Sequence, residues 1–117
     1  MCDRRIELKS EEGGSVKCRV ASTFWSRARG FMFQDPPSDG EGLLIKPCNS
    51  IHMYFMRFSI DVAFLDGEFR VVKCVRDVAP GKIIGTVRGA SQALEIQSGK
   101  MPESFRDGSR LQVAEIT

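Results

Sequence analysis

The chain has 117 residues, 42% hydrophobic and 27% charged, enough to bury one core and too few for two, so residues 1–117 are expected to form a single domain. Seventeen Lys and Arg against fifteen Asp and Glu leave a formal charge of +2, far from the basic excess of a protein held by a phosphate backbone, so no nucleic-acid partner is expected. No apolar run approaches the roughly eighteen residues of a membrane span, and the opening Met-Cys-Asp-Arg-Arg lacks the apolar stretch of a signal peptide. No membrane association and a cytoplasmic location are therefore expected.

Residues 5–9 and 15–21 alternate apolar with polar, Ile6 and Leu8 in the first and Val16, Cys18 and Val20 in the second. That period of two predicts strands, and the intervening Glu-Glu-Gly-Gly predicts a hairpin. From Ser22 the period changes: Phe24, Ala28 and Phe31 fall at i, i+4 and i+7, with Ser22 or Thr23 placed to cap and Gly30 to stop, so one short helix is predicted near residues 23–30. Residues 34–42 hold Pro36, Pro37 and Gly40 among three acids, which predicts an exposed loop. Leu43 to Ile45, Ile51 to Met56 and Ile60 to Leu65 then read as strands. Asp66-Gly67 leads into Phe69 to Val75, the pattern of a second hairpin. Ile83 to Val87 and Ala93 to Ile96 suggest further strands, Pro102 to Gly108 allows one helical turn, and Leu111 with Val113 closes the chain on a last strand. Eight or nine short strands with turn signals every ~8–12 residues predict an all-β fold, a compact β-sandwich or distorted barrel.

The four cysteines, Cys2, Cys18, Cys48 and Cys74, form no C-x-x-C pair, which argues against a zinc knuckle or a redox motif. Free thiols are expected, with Cys18 and Cys74 as small hydrophobes within strands. The glycines lack the spacing of a phosphate-binding loop, and no cofactor is implied.

Four blocks, Arg27-Ala28-Arg29-Gly30-Phe31-Met32, Gly40-Glu41-Gly42-Leu43-Leu44, the stretch from His52 to Asp66, and Ala93-Leu94-Glu95-Ile96-Gln97-Ser98-Gly99, occur in this order. Together they resemble the prokaryotic family known as domain of unknown function 192, the UPF0127-like proteins, from about residue 16 onward. Arg29, Gly30 and Met32 fall on the first block of that family, Glu41, Gly42 and Leu44 on the second. Met53, Ile60, Asp61, Phe64 and Asp66 fall on the third, and Leu94, Glu95 and Gly99 on the fourth. Ser59 stands where a proline is frequent, His52 where tryptophan is common, and Ser109 where an aspartate is usual. The resemblance implies a sandwich or barrel-like β fold and no particular reaction.

Asp61 lies in Ile-Asp-Val-Ala-Phe-Leu, on a strand face it shares with Ala63 and Leu65. A carboxylate among apolar neighbours must be paired, hydrogen-bonded or shifted in pKa to avoid a penalty of several kcal/mol, and such groups are often functional. A cap on the turn at Arg57-Phe58-Ser59, or a pair with Arg29 or Arg57, is the structural alternative. Glu95 repeats the pattern in Ala-Leu-Glu-Ile, its alternative being a solvent-facing place on an edge strand. His52 is the sole histidine, and Cys48 stands four residues before it.

Arg29, His52, Asp61 and Glu95 are accordingly the candidate binding residues. Converging, His52, Asp61 and Glu95 would serve as acid and base or as metal ligands; Cys48 with His52, oriented by Asp61, would make an activated nucleophile. Arg27 and Arg29 with Lys46, Arg57 and Arg76 would suit an anionic ligand. Three functions follow: a module binding a small molecule or anion, which is preferred; a hydrolase-type or metal-dependent enzyme using His52, Asp61 and Glu95; and a structural or interaction domain.

Overall fold

The computed structural model describes residues 4–116. Strands β1 (Arg5–Ser10) and β2 (Ser15–Ala21) form the expected hairpin, with Leu8 opposite Val16. Helix α1 (Phe24–Arg29) follows, its start set by a capping box in which the Thr23 side chain accepts from Ser26 N–H and the Ser26 hydroxyl accepts from Thr23 N–H. Gly30 ends it with φ of 50°, a left-handed value natural to glycine. The remaining strands are β3 (Gly42–Ile45), β4 (Ile51–His52), β5 (Ile60–Leu65), β6 (Val71–Val78), β7 (Ile83–Ile84), β8 (Gln92–Gln97) and β9 (Leu111–Glu115).

Seven strands make one sheet in the order β6-β5-β8-β3-β2-β1-β9, antiparallel except for the β2 and β3 pair, while β4 and β7 form a small second sheet. The large sheet curls until its two end strands meet: Arg70 bridges Arg110, Val71 N–H donates to Ser109 O at 2.7 Å, and Leu111 N–H donates to Phe69 O at 2.9 Å. The fold is thus mainly β, a half-barrel with one short helix, as the strand count predicts.

Because side chains alternate across a strand, the sheet has two apolar faces. One holds Ile6, Leu8, Val16, Cys18, Leu44, Ala63, Leu65, Leu94 and Ile96 and is closed by Met101, Phe105 and Leu111. The other holds Leu43, Ile45, Ile60, Val62, Phe64 and Ala93 and is covered by Phe31, Ile51, Met53, Phe58 and Val87. Every residue of β3 and β5 is buried, as double coverage demands. Gly42 is required where β3 passes β8, since a Cβ there would stand 3.0 Å from the Glu95 carbonyl oxygen.

Three expectations need correction. The strand foreseen from Ile51 to Met56 stops at His52, because Met53 O accepts from Gly81 N–H at 2.9 Å and from Met56 N–H at 3.3 Å, turning the chain back. The strand from Ile83 to Val87 shrinks to two residues, as Val87 N–H leaves the ladder for Asn49 O at 2.7 Å. Between Pro102 and Gly108 there is no helix: the Arg76 guanidinium occupies the carbonyls of Met101 at 2.8 Å, Pro102 at 2.9 Å and Phe105 at 3.4 Å, and Phe105 is drawn wholly into the core. Cys18, Cys48 and Cys74 are free thiols, Cys18 buried and Cys74 half-buried within strands; Cys2 lies outside the described residues, as does the Phe24 side chain of the expected helical stripe.

Candidate functional site

Strands β5 and β8 carry the two buried acids of the described residues, and their register separates them. Asp61 stands opposite Ile96 and Val62 opposite Glu95. Directly opposed residues share a face, so Asp61 sides with Ile96 and Ala63 while Glu95 sides with Val62 and Leu43. The sheet itself lies between the two carboxyls.

Asp61 is fully partnered. Its Oδ1 accepts from Asp77 N–H at 2.8 Å; Oδ2 accepts from Gly99 N–H at 3.0 Å and Met101 N–H at 3.3 Å and lies 3.8 Å from Arg76 Nη1. Asp77 has a φ of 55° and belongs to a bulge of β6 opposite Asp61, where the register shifts between Ile60 and Val62. Asp61 therefore ties the bulge to the segment that leads from β8 to the core lid. Neither the Arg57-Phe58-Ser59 turn nor Arg29 nor Arg57 supplies its partners.

Glu95 is the opposite case. It is 6% exposed, and no described residue gives it a hydrogen bond or an ion pair. Its place is not an edge, since β8 runs between β5 and β3. Burial alone pushes its carboxyl from 4.5 up to about 7. The carboxyl looks into a cavity of about 80 Å³ roofed by α1 and bounded by Arg27, Gly30, Phe31, Cys48, His52 and Met56. At Gly30 a Cβ would come to 3.9 Å from Glu95 Oε1, so the glycine that ends the helix also keeps the space above the acid open.

His52 reaches this cavity from β4 but is exposed; its Nδ1 accepts from Tyr54 N–H at 3.3 Å and its ring packs on Tyr54 with centroids 5.0 Å apart. Cys48 lines the same wall, donating its S–H to Ser50 O at 3.0 Å, and burial pushes the thiol above its ordinary value. Cys48 and His52 do not bond to each other, so no activated nucleophile is assembled. Among the described residues no three His, Cys, Asp or Glu side chains are grouped as metal ligands.

Arg29 is exposed and lines a different cavity, of about 340 Å³, with Arg19, Trp25 and Gln34 on the other side of α1. The arginine at the Glu95 cavity is Arg27, whose Nε is buried without a hydrogen-bond partner. Two residues apart on a helix means about 200° of rotation, so Arg27 and Arg29 cannot serve one pocket. That spacing was the available signal for choosing between them. Nor do the five basic residues make one patch: Arg76 is engaged on the Asp61 face, and Arg57 lies 3.6 Å from Asp35.

The half-barrel fold has solved counterparts. A protein of unknown function from Novosphingobium aromaticivorans superposes with a TM-score of 0.78 at 19% identity, over 92% of this chain and 83% of that one. A putative transcription regulator from Sinorhizobium meliloti does so with a TM-score of 0.77 at 17% identity, over 96% and 94%. At these identities the likeness is one of fold. Residues 6–113 match the family described as Uncharacterized ACR, domain of unknown function 192, and the chain belongs to that family. Among its relatives, the UPF0127 protein of Pyrococcus abyssi is 38% identical over 85 residues, 68% of this chain and 69% of that protein. That of Pyrococcus horikoshii is 46% identical over 59 residues, 46% of this chain and half of the relative's length. No helix among the described residues is long and apolar enough to cross a membrane.

Proposed function

We propose that the chain is a binding module that takes a small polar group of its ligand into the Glu95 cavity beneath α1. The observation that carries this reading is a glutamate only 6% exposed whose carboxyl faces the cavity with no protein partner among the described residues. An unpartnered buried acid costs stability, and a leucine or methionine on β8 would fill the same place without that cost. At ~30 Å³ of liquid volume per water molecule, a space of about 80 Å³ admits a few heavy atoms, so the ligand enters by an end group and leaves its body outside. A broader cleft of about 500 Å³, bordered by Arg27, Cys48, Asn49 and Ser91, adjoins the same wall. The enzyme alternative draws less support, because Asp61 is consumed by backbone donors across the sheet and the Cys48 thiol is held protonated.

The test is an amide chemical-shift titration of the intact chain with methylammonium, acetamide and acetate in turn, repeated with Glu95→Met, which keeps the volume and removes both oxygens. The expected result is that at least one probe shifts the amides of Gly30, Cys48 and His52 in the wild type and none does so in the variant. Unmoved cavity amides with all three probes overturn the proposal.

A further inference from the structure

Beside the cavity the surface is unusually aromatic. Phe33 and Phe55 stack with centroids 5.0 Å apart, and Phe33 N–H donates to Phe55 O at 2.9 Å. They are 55% and 66% exposed, and both backbones have φ of 62°, a left-handed conformation costly for a bulky side chain. Tyr54, 47% exposed, packs at a tilt on His52, which itself lines the cavity. Met32 and Met56, the chain neighbours of Phe33 and Phe55, line it too. Two strained turns thus hold an aromatic shelf in water at the edge of a hole with an acid at its base. Strain and exposed apolar surface kept together point to a ligand.

We propose that this site binds a small primary amine with an apolar body, its ammonium entering the cavity to meet the Glu95 carboxylate and its body lying on the Phe33, Tyr54 and Phe55 shelf. This rests on the reading of the Glu95 cavity given above. Charge selects the head group at the carboxyl: among the described residues no cation is paired with Glu95, and Arg27, which lines the cavity with its Nε unpartnered, forms no ion pair with it, so the direct partner the acid lacks is one an ammonium would bring, held at the Glu95 side and clear of the guanidinium. Size agrees, since an ammonium with its first methylene is two heavy atoms in a space of about 80 Å³. The exposed rings of Phe33, Tyr54 and Phe55, next in the chain to or packed on residues that line the cavity, offer an apolar body a surface to rest on. A small molecule fits the footprint, which is one cavity and one shelf rather than an extended groove.

The experiment titrates phenethylammonium, methylammonium, neutral 3-phenylpropanamide and the peptide Phe-Ala-Ala into wild type, Glu95→Gln and Phe55→Asn, following the amides of Gly30, Cys48 and His52 at about pH 8, where Glu95 is largely ionised. Asparagine tolerates the left-handed backbone at position 55, so that variant keeps the turn and loses the ring. Phenethylammonium is expected to shift the cavity amides, to weaken roughly thirtyfold or more in Glu95→Gln and about fivefold in Phe55→Asn. Methylammonium is expected to bind more weakly than phenethylammonium. Cavity shifts with the neutral amide but not with phenethylammonium overturn the amine assignment and leave the binding module standing; silence from every probe overturns the amine assignment, and the binding module falls with it only when acetate and acetamide are silent as well. Undiminished phenethylammonium binding in Glu95→Gln overturns the role of the carboxylate. Binding of the peptide Phe-Ala-Ala without binding of phenethylammonium overturns the small-molecule assignment.

Discussion

Replacing Glu95 by glutamine removes the ionisable group from the cavity while keeping its shape, and the effect on folding must depend on pH. Burial moves the carboxyl from 4.5 to about 7, and at about 1.4 kcal/mol per pKa unit that shift corresponds to about 3 kcal/mol of stability. The sign follows from where the proton sits. Below 4.5 both folded and unfolded chains keep it and no penalty exists. Between 4.5 and about 7 the unfolded chain ionises while the folded one still holds the proton, so stability falls as pH rises, and above about 7 the full penalty is in place. Glutamine has no such dependence. The stability difference, Glu95→Gln minus wild type, should therefore move in favour of the variant by about 2–3 kcal/mol between about pH 5 and pH 8, whatever the pH-independent cost of a buried amide. Urea unfolding at the two pH values, with unchanged slopes, measures it. A difference that is flat with pH, or that moves in favour of the wild type, refutes the picture of an uncompensated buried acid.

Three further outcomes follow from the same geometry. Asp61→Ala should destabilise the fold by about 3–5 kcal/mol in urea unfolding, because three backbone donors and Arg76 lose a buried acceptor; a loss below about 1 kcal/mol would remove its role as a tie. Gly42→Ala should cost about 1–3 kcal/mol, since the new methyl meets backbone at 3.0 Å and side chains of Leu94 and Val16 at 3.3 Å, and an unchanged melting temperature would count against that crowding. Cys48 should label slowly with a disulfide reagent at neutral pH and faster as pH rises, burial being the first cause of its raised thiol value; peptide mapping showing labelling as fast as in the unfolded chain contradicts this.

Local chemistry made much of the fold legible. Alternation in residues 5–9 and 15–21, the apolar run from Ile60 to Leu65, and the Thr23 cap with the Gly30 stop all appear as the elements they indicate. Misread segments share one cause: distant groups claimed their backbone. Gly81 N–H takes the Met53 carbonyl at 2.9 Å, and Arg76 takes the carbonyls that a helix after Pro102 would have used. Neither Gly81 nor Arg76 is near those segments in the chain, so no local pattern announces the bond.

The residue pattern by itself determined that two acids sit within apolar strands and that each needs an answer to desolvation, because alternation and composition are properties of single strands. Only the tertiary structure decided which acid is answered. Register is the reason: Asp61 pairs with Ile96, and a slip of one residue would have set it beside Glu95 on the same face. That parity is fixed by long-range contacts across the curled sheet, which hand backbone donors to one carboxyl and leave the other facing a cavity.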